Sequence, residues 1–345
     1  MNERENCLRT IRFEGPEWIP CSVYLTPAIW KRYGEKLEEL VLRHPSIFGE
    51  YRKGRRDFEE MHPAYRAGEY FTDTWGCVWY NLVDGIRGQV KVHPLRDWNS
   101  LQTFRPPDPL LLDEVAPRKP WSVVQTEIVE MRQKGKIAWG YSSRYFERLH
   151  FLRGFKNLMI DLMRSPPQLE VLKRMVLDHN ITLIRKWLEI GADGIRMGDD
   201  LGTQKGEMMS PAVFRWHLLP GYTEMCQVAR EGGCETYMHS DGHILELLDP
   251  LIEAGFTVIN PQLSANGIDQ LASRLKGRVC IDADVDRQNV LPRGKPRNVK
   301  DHISEIVKKL GSKDGGLMII AGVYPDVPLE NIEALCEAME EYMYI

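Results

Sequence analysis

No stretch of this 345-residue sequence approaches the roughly 18 consecutive apolar residues of a membrane-spanning helix, so no helical span is expected. Paired cysteines are missing too. The seven cysteines (Cys7, Cys21, Cys77, Cys226, Cys234, Cys280 and Cys336) form no C-x-x-C pair, which gives no basis for a zinc ribbon. The start, Met1 to Asn6, is polar and carries acid, unlike a secretion signal. Scattered, unpaired thiols without such a signal fit a reducing cytoplasm. Excess charge of either sign is absent: 45 basic against 49 acidic residues leave a net charge of −4, which does not favour non-specific nucleic-acid binding. No G-x-G-x-x-G follows the first apolar run and no G-x-x-x-x-G-K-[ST] occurs, which argues against dinucleotide and P-loop sites.

What is present is an alternation of short apolar runs and helical periodicities. A first strand is expected over 18–25, with helices over 27–43 and 48–61. The aromatic and β-branched run 70–80 and the alternating run 88–94 suggest a hairpin. From about residue 116 the pattern is regular. Strands are expected at 136–141, 194–198, 236–239, 256–260, 278–282 and 316–321, and helices at 146–163, 167–190, 244–254 and 267–275. Ser210 reads as a helix N-cap and Pro220 as a break between two helices. Strands that alternate with helices must pair in parallel, because parallel pairing needs crossovers. Strands apolar throughout are buried on both faces. The expected fold class is therefore α/β: a (β/α)8 TIM barrel, one domain over 1–345. An irregular part, 1–115, would lay helices and a hairpin over the barrel mouth, and 116–345 would carry the regular repeats.

The active face of such a barrel lies at the C-terminal ends of its strands. The residues expected there are Tyr141, Asp199 and Asp200, His239 to Asp241, Asn260 and Gln262, Asp282 to Asp286, and Gly322 to Tyr324. His239 and Asp241 stand two apart where a strand opens into a loop, so both can face one cleft. Imidazole titrates near neutrality and ligates metals, and a carboxylate can orient it or share its metal. A single aspartate at a strand end can equally be a helix cap. His239 and Asp241 supply two ligands, and Asp199 or Asp200 would complete a His–Asp–Asp set suited to a harder ion. Cys280 lies before its strand end and reads as core. Asp73 and Trp75, with Trp79, would form an aromatic wall or else a hydrophobic hairpin face. His93 and His217 read as structural.

The ordered motifs D-x-W-G (Asp73 to Gly76), G-D-D-L-G-T-Q (Gly198 to Gln204), Ser210-Pro211, H-S-D-G (His239 to Gly242), Ile259-Asn260-Pro261, D-x-D-R-Q-x-x-L-P-x-G (Asp284 to Gly294) and Pro328 to Ile332 resemble the uroporphyrinogen decarboxylase superfamily. That resemblance implies a (β/α)8 barrel, and either a porphyrinogen decarboxylase or a cobalamin-dependent methyltransferase. The decarboxylase holds its polyanionic substrate with arginines near the N-terminus, whereas Val23 to Trp30 carries none. The zinc-thiol methyltransferases carry H-x-C near the centre and a later cysteine. Here Asp241 stands in the first cysteine's place, and Ala321-Gly322-Val323 lacks the second. The resemblance thus implies a corrinoid-linked methyltransferase, with cobalamin carried by a partner corrinoid protein. No D-x-H-x-x-G motif for binding cobalamin directly occurs. In this reading His239, Asp241 and Asp199 are catalytic, and His239 and Asp241 ligate zinc or another divalent metal. Asp73, Trp75, Tyr141, Asp200, Asn260 and Gln262 contact a small-molecule substrate. The alternative is a decarboxylase or lyase acting on a small carboxylic acid. Aromatics in the first 110 residues suggest a contact surface, with a homodimer as one expectation.

Overall fold

A computed structural model of the chain describes residues 1–344. In chain order its strands are β1 (Cys21–Leu25), β2 (Tyr70–Thr72), β3 (Val78–Tyr80), β4 (Gln89–Val92), β5 (Trp139–Tyr141), β6 (Gly194–Gly198), β7 (Glu235–Ser240), β8 (Val258–Pro261), β9 (Cys280–Asp284) and β10 (Leu317–Val323). Seven of them make one sheet in the order β1-β10-β9-β8-β7-β6-β5, and β2-β3-β4 make a second. Each registered neighbour pair in the large sheet is parallel, and helices connect its strands. This is the expected (β/α)8 barrel class, with seven strands where about eight units were anticipated. Among the described residues no helix is long and apolar enough to cross a membrane.

The chain divides into two compact units: Glu3–His62 with the part from Asn260 onward, and Pro63–Ile259. In the first, β1 pairs with β10 (Cys21↔Ile319 to Leu25↔Val323), and β10 pairs with β9. The helices Pro296–Leu310 and Leu329–Tyr342 bury Val299, Ile303, Ile306, Ile332, Leu335 and Met339 completely. Burial of such side chains contributes roughly 1.5–3 kcal/mol each. The long helix expected over 27–43 is two, Pro27–Tyr33 and Glu35–Arg43, parted at Gly34. The helix expected over 48–61 does not form. A single turn, Pro45–Phe48, stops at Gly49 with φ +68°, and the following charge-rich segment offers no apolar stripe to bury.

In the second unit β5 pairs with β6, and β6 with β7, through Gly198↔His239. The helix Pro167–Glu189 buries Leu169, Leu172, Val176, Leu183 and Ile184. Ser210 caps Pro211–His217, its Oγ accepting from the Val213 amide at 3.3 Å. The chain restarts as Leu219–Glu231 with Pro220 in its first turn, as expected. The helix expected over 146–163 is broken at Gly154 into Phe146–Arg153 and Phe155–Arg164. The hairpin is the three-stranded antiparallel sheet β2-β3-β4. It packs on Phe146–Arg153, which follows β5, with the Trp79 and Phe151 rings edge-to-face at 4.7 Å.

Candidate metal centre

Side chains alternate across β5, β6 and β7, and the register sorts them into two faces. A Cβ on Gly140 would lie 2.5 Å from Trp187 of the helix Pro167–Glu189, so that face meets the helices. The opposite face carries Trp139, Arg196, Gly198, Tyr237 and His239. A Cβ on Gly194 would strike the Trp139 ring, and one on Gly198 would sit 3.6 Å from the His239 Cβ. His239 thus ends β7 on the face away from the helices. Its Nε2 lies 3.7 Å from Asp241 Oδ1 and 3.9 Å from Asp200 Oδ1. The three ligand atoms all fall within 4.8 Å of one another, and each residue is partly exposed.

The loops after β6 and β7 hold this group together by continuing the strand ladder. The Asp199 amide donates to the His239 carbonyl (3.0 Å), Gly202 to Asp241 (3.3 Å) and His243 to Thr203 (2.7 Å). The Leu201 amide donates to Ser240 Oγ at 3.0 Å, and the Asp241 amide to Asp200 Oδ1 at 3.2 Å. The backbones touch where Gly202 meets Gly242. A Cβ on Gly242 would lie 2.2 Å from the Gly202 carbonyl carbon, and Gly242 has φ +81°. Only glycine allows both that approach and that conformation.

Asp199 is not part of this group. It is 2% exposed and turns toward the start of Phe146–Arg153. Its Oδ2 accepts from the amides of Tyr145 (2.8 Å) and Phe146 (3.1 Å) and from Tyr222 Oη (2.7 Å), while Oδ1 accepts from the Glu147 amide (2.7 Å). Burial pushes this carboxyl up to about 6, against the pull of those donors. Asp199 therefore anchors a helix start, and Asp200 supplies the second carboxylate beside His239. The oxygens of Asp199, expected in the cleft, are instead taken up by three amides at a helix start and one tyrosine hydroxyl. Glu147 bridges the two regions. It accepts from Arg144 Nη1 at 2.8 Å and from the Asp200 amide at 3.3 Å. Burial pushes its carboxyl up to about 8, with Arg144 opposing and Asp200 and Asp199 adding to the rise.

The other expected substrate contacts are dispersed. Asp73 and Trp75 are buried, 4% and 3% exposed, in the packing of the hairpin. Asp73 accepts from the amides of Trp75 and Cys77, from Trp79 Nε1 (3.0 Å) and from Arg148 Nη1 (2.9 Å). Trp75 packs on His179 with ring centroids 4.7 Å apart. Both side chains are turned into the hairpin packing and present no exposed aromatic wall. Tyr141 is exposed at the end of β5, its ring 6.2 Å from that of Trp187. Asn260 and Gln262 belong to the first unit, where both are buried; Asn260 Nδ2 donates to the Asp282 carbonyl at 2.6 Å. Sequence reasoning missed Glu147, Arg144 and Arg196. For Arg196 a signal was present: a cation in the middle of an otherwise apolar strand run, Gly194 to Gly198.

One imidazole nitrogen and two carboxylate oxygens suit a divalent cation that accepts mixed nitrogen and oxygen donors, and the partial exposure leaves room for further ligands. No cysteine belongs to the group, so the thiolate set of the zinc-thiol type is not reproduced. Fold and site together define an α/β barrel with a histidine–carboxylate centre at the ends of adjacent strands. The model of the uroporphyrinogen decarboxylase (URO-D) family matches residues 149–342, and the chain belongs to that family. Among solved structures it is similar to a methyltransferase from Methanosarcina mazei, at 19% identity and a TM-score of 0.67 over 99% of each chain. A dihydropteroate synthase from Vibrio fischeri aligns over 47% of this chain and 60% of that one, at 16% identity and a TM-score of 0.33. No curated protein sequence matches the chain.

Proposed function

We propose that this chain is a methyltransferase, one that moves a methyl group between a small methylated compound and a corrinoid carried by a partner protein. The observation that carries the reading is the convergence of His239, Asp200 and Asp241 at the ends of β6 and β7. The fold-level likeness to the Methanosarcina mazei methyltransferase along the full length of both chains supports it.

Removing a methyl group from an ether or amine requires activation of the heteroatom that leaves, because an unactivated one is a poor leaving group. In this reading His239 Nε2 and the carboxylates of Asp200 and Asp241 hold a divalent metal such as zinc. When bound, the metal supplies Lewis-acid polarisation of that heteroatom. The chain's own contribution is position. The zipped loops fix the two carboxylates around Nε2, and Glu147 fixes Asp200 through its amide. The methyl acceptor, a reduced corrinoid, arrives on its partner as a substrate.

The test is methyl transfer from a panel of methyl ethers and methylamines to free cob(I)alamin, followed by the visible spectrum of methylcobalamin. The expected result is metal-dependent transfer that His239→Ala abolishes. Carbon dioxide release from a small acid, with no methyl transferred and no metal needed, would replace this reading with the decarboxylase one.

A further inference from the structure

Beneath His239 on the same face of the sheet lies a cation that the proposed chemistry does not use. Arg196 pairs in register with Tyr237, two residues before the Gly198↔His239 pair. Its guanidinium carbon sits 4.9 Å from the ring centroid of Trp139 and 4.9 Å from that of Tyr237. Those two rings are themselves edge-to-face at 5.8 Å. The Nε atom is buried without a hydrogen-bond partner, and the side chain forms no ion pair among the described residues. A guanidinium held against two aromatic faces is stabilised by cation–π attraction, but its N–H fork still lacks an acceptor. The residue is partly exposed, as are His239, Asp200 and Asp241.

We infer that Arg196 is the subsite for the anionic end of the substrate, and that the substrate is a small methylated carboxylate. This rests on the methyl-transfer reading of the His239 centre and names the compound class it takes. Three features favour a carboxylate. The planar fork of arginine matches it with two parallel hydrogen bonds. A single unpaired cation balances one negative charge, where a phosphate dianion would leave a surplus. Asp200 and Asp241 neutralise a bound divalent ion, so the His239 centre carries no surplus positive charge to draw the acid away from Arg196, and the neutral, methyl-bearing end is left toward His239. At about 3.3 Å of rise per residue, the Arg196 position lies roughly 7 Å below the His239 position along the strands. A ring or short chain between the carboxylate and the methylated heteroatom spans that interval, and the Trp139 and Tyr237 rings flank its acidic end.

The test is equilibrium binding by calorimetry to the zinc-loaded full chain, using para-methoxybenzoate and the neutral para-methoxybenzamide as probes. A charge-assisted pair predicts that the wild type prefers the acid by about ten- to hundredfold. Arg196→Met should erase that preference while zinc content and near-ultraviolet dichroism stay unchanged, and Arg196→Lys should retain part of it. A wild type without preference for the acid overturns the inference. So does an Arg196→Met variant that keeps the preference, or one that merely loses stability as a cation–π filler would. Zinc content and the effect of His239→Ala on it report on the methyl-transfer reading separately, because neither depends on which probe binds.

Discussion

Asp199 stands beside Asp200 of the proposed metal group in sequence, yet the structure makes it the anchor of a helix start, and that assignment gives a sharp prediction. Asp199→Ala leaves the amides of Tyr145, Phe146 and Glu147 and the hydroxyl of Tyr222 without their acceptor, in a site 2% exposed. At roughly 1–3 kcal/mol for each stranded group, and with partial relaxation, the loss should be about 4 kcal/mol. Asp199→Asn keeps one oxygen but turns an N–H toward a donor, and should cost about 2 kcal/mol. Urea unfolding followed by far-ultraviolet dichroism measures both. A double-mutant cycle with Tyr222→Phe should return a coupling of about 1 kcal/mol, since the hydroxyl and carboxylate are 2.7 Å apart. Zinc binding by the folded fraction should be little altered, because Asp199 contributes no ligand atom to the group. An Asp199→Ala variant within about 0.5 kcal/mol of the wild type, but unable to bind metal, would refute the reasoning.

The contact of Gly202 with Gly242 should make Gly242→Ala costly. With φ +81° and a Cβ position 2.2 Å from backbone carbon, the substitution should destabilise by about 2 kcal/mol or more and weaken metal binding, both measurable on one preparation. Acid should destabilise the fold through two interior histidines. Burial holds His150 down to about 3 and His179 down to about 4, both below the ordinary value of 6.5. Their folded pKa values are depressed, so the stability tied to the neutral rings is fully present above about pH 6.5 and is lost as pH falls toward 4. With two protons taken up on unfolding, the limiting slope is about 2.7 kcal/mol per pH unit. The raised carboxyls of Glu147 and Asp199 oppose this slope over the same range, so the histidine share is read as a difference. Between about pH 6 and about pH 4.5 the slope from urea unfolding should be lower in His179→Gln than in the wild type by about 1.4 kcal/mol per pH unit, and a slope unchanged in that variant would count against the burial argument.

The alternation of apolar strands and periodic helices was legible because both faces of a parallel sheet are buried, so strand runs such as those ending at Asp199, His239 and Asn260 are mainly apolar, with Arg196 the one charge inside the first of them. His239 and Asp241 were legible as a pair for the same reason: polar groups at the end of such a run must face the loop side. The choice between Asp199 and Asp200 was not. Adjacent residues at a strand end point in different directions, and which one meets a helix start depends on a helix some fifty residues away in the chain, as the 2.7 Å bond to the Glu147 amide shows. The same limit hid the hairpin's role. Asp73 and Trp75 look like a polar–aromatic wall until Arg148, itself wholly buried, takes the carboxylate. Helix lengths were overestimated where apolar periodicity ran through Gly34 and Gly154, since periodicity reports a buried face and not the continuity of the backbone.

The central claim is that His239, Asp200 and Asp241 form a single metal centre. X-ray absorption at the zinc edge, on protein loaded with one equivalent and desalted, tests it most directly. The account predicts one tightly held ion with a first shell of nitrogen and oxygen donors only, including one imidazole, and loss of that ion in both His239→Ala and Asp241→Ala. Sulfur in the first shell, or full retention of zinc by either variant, would contradict it.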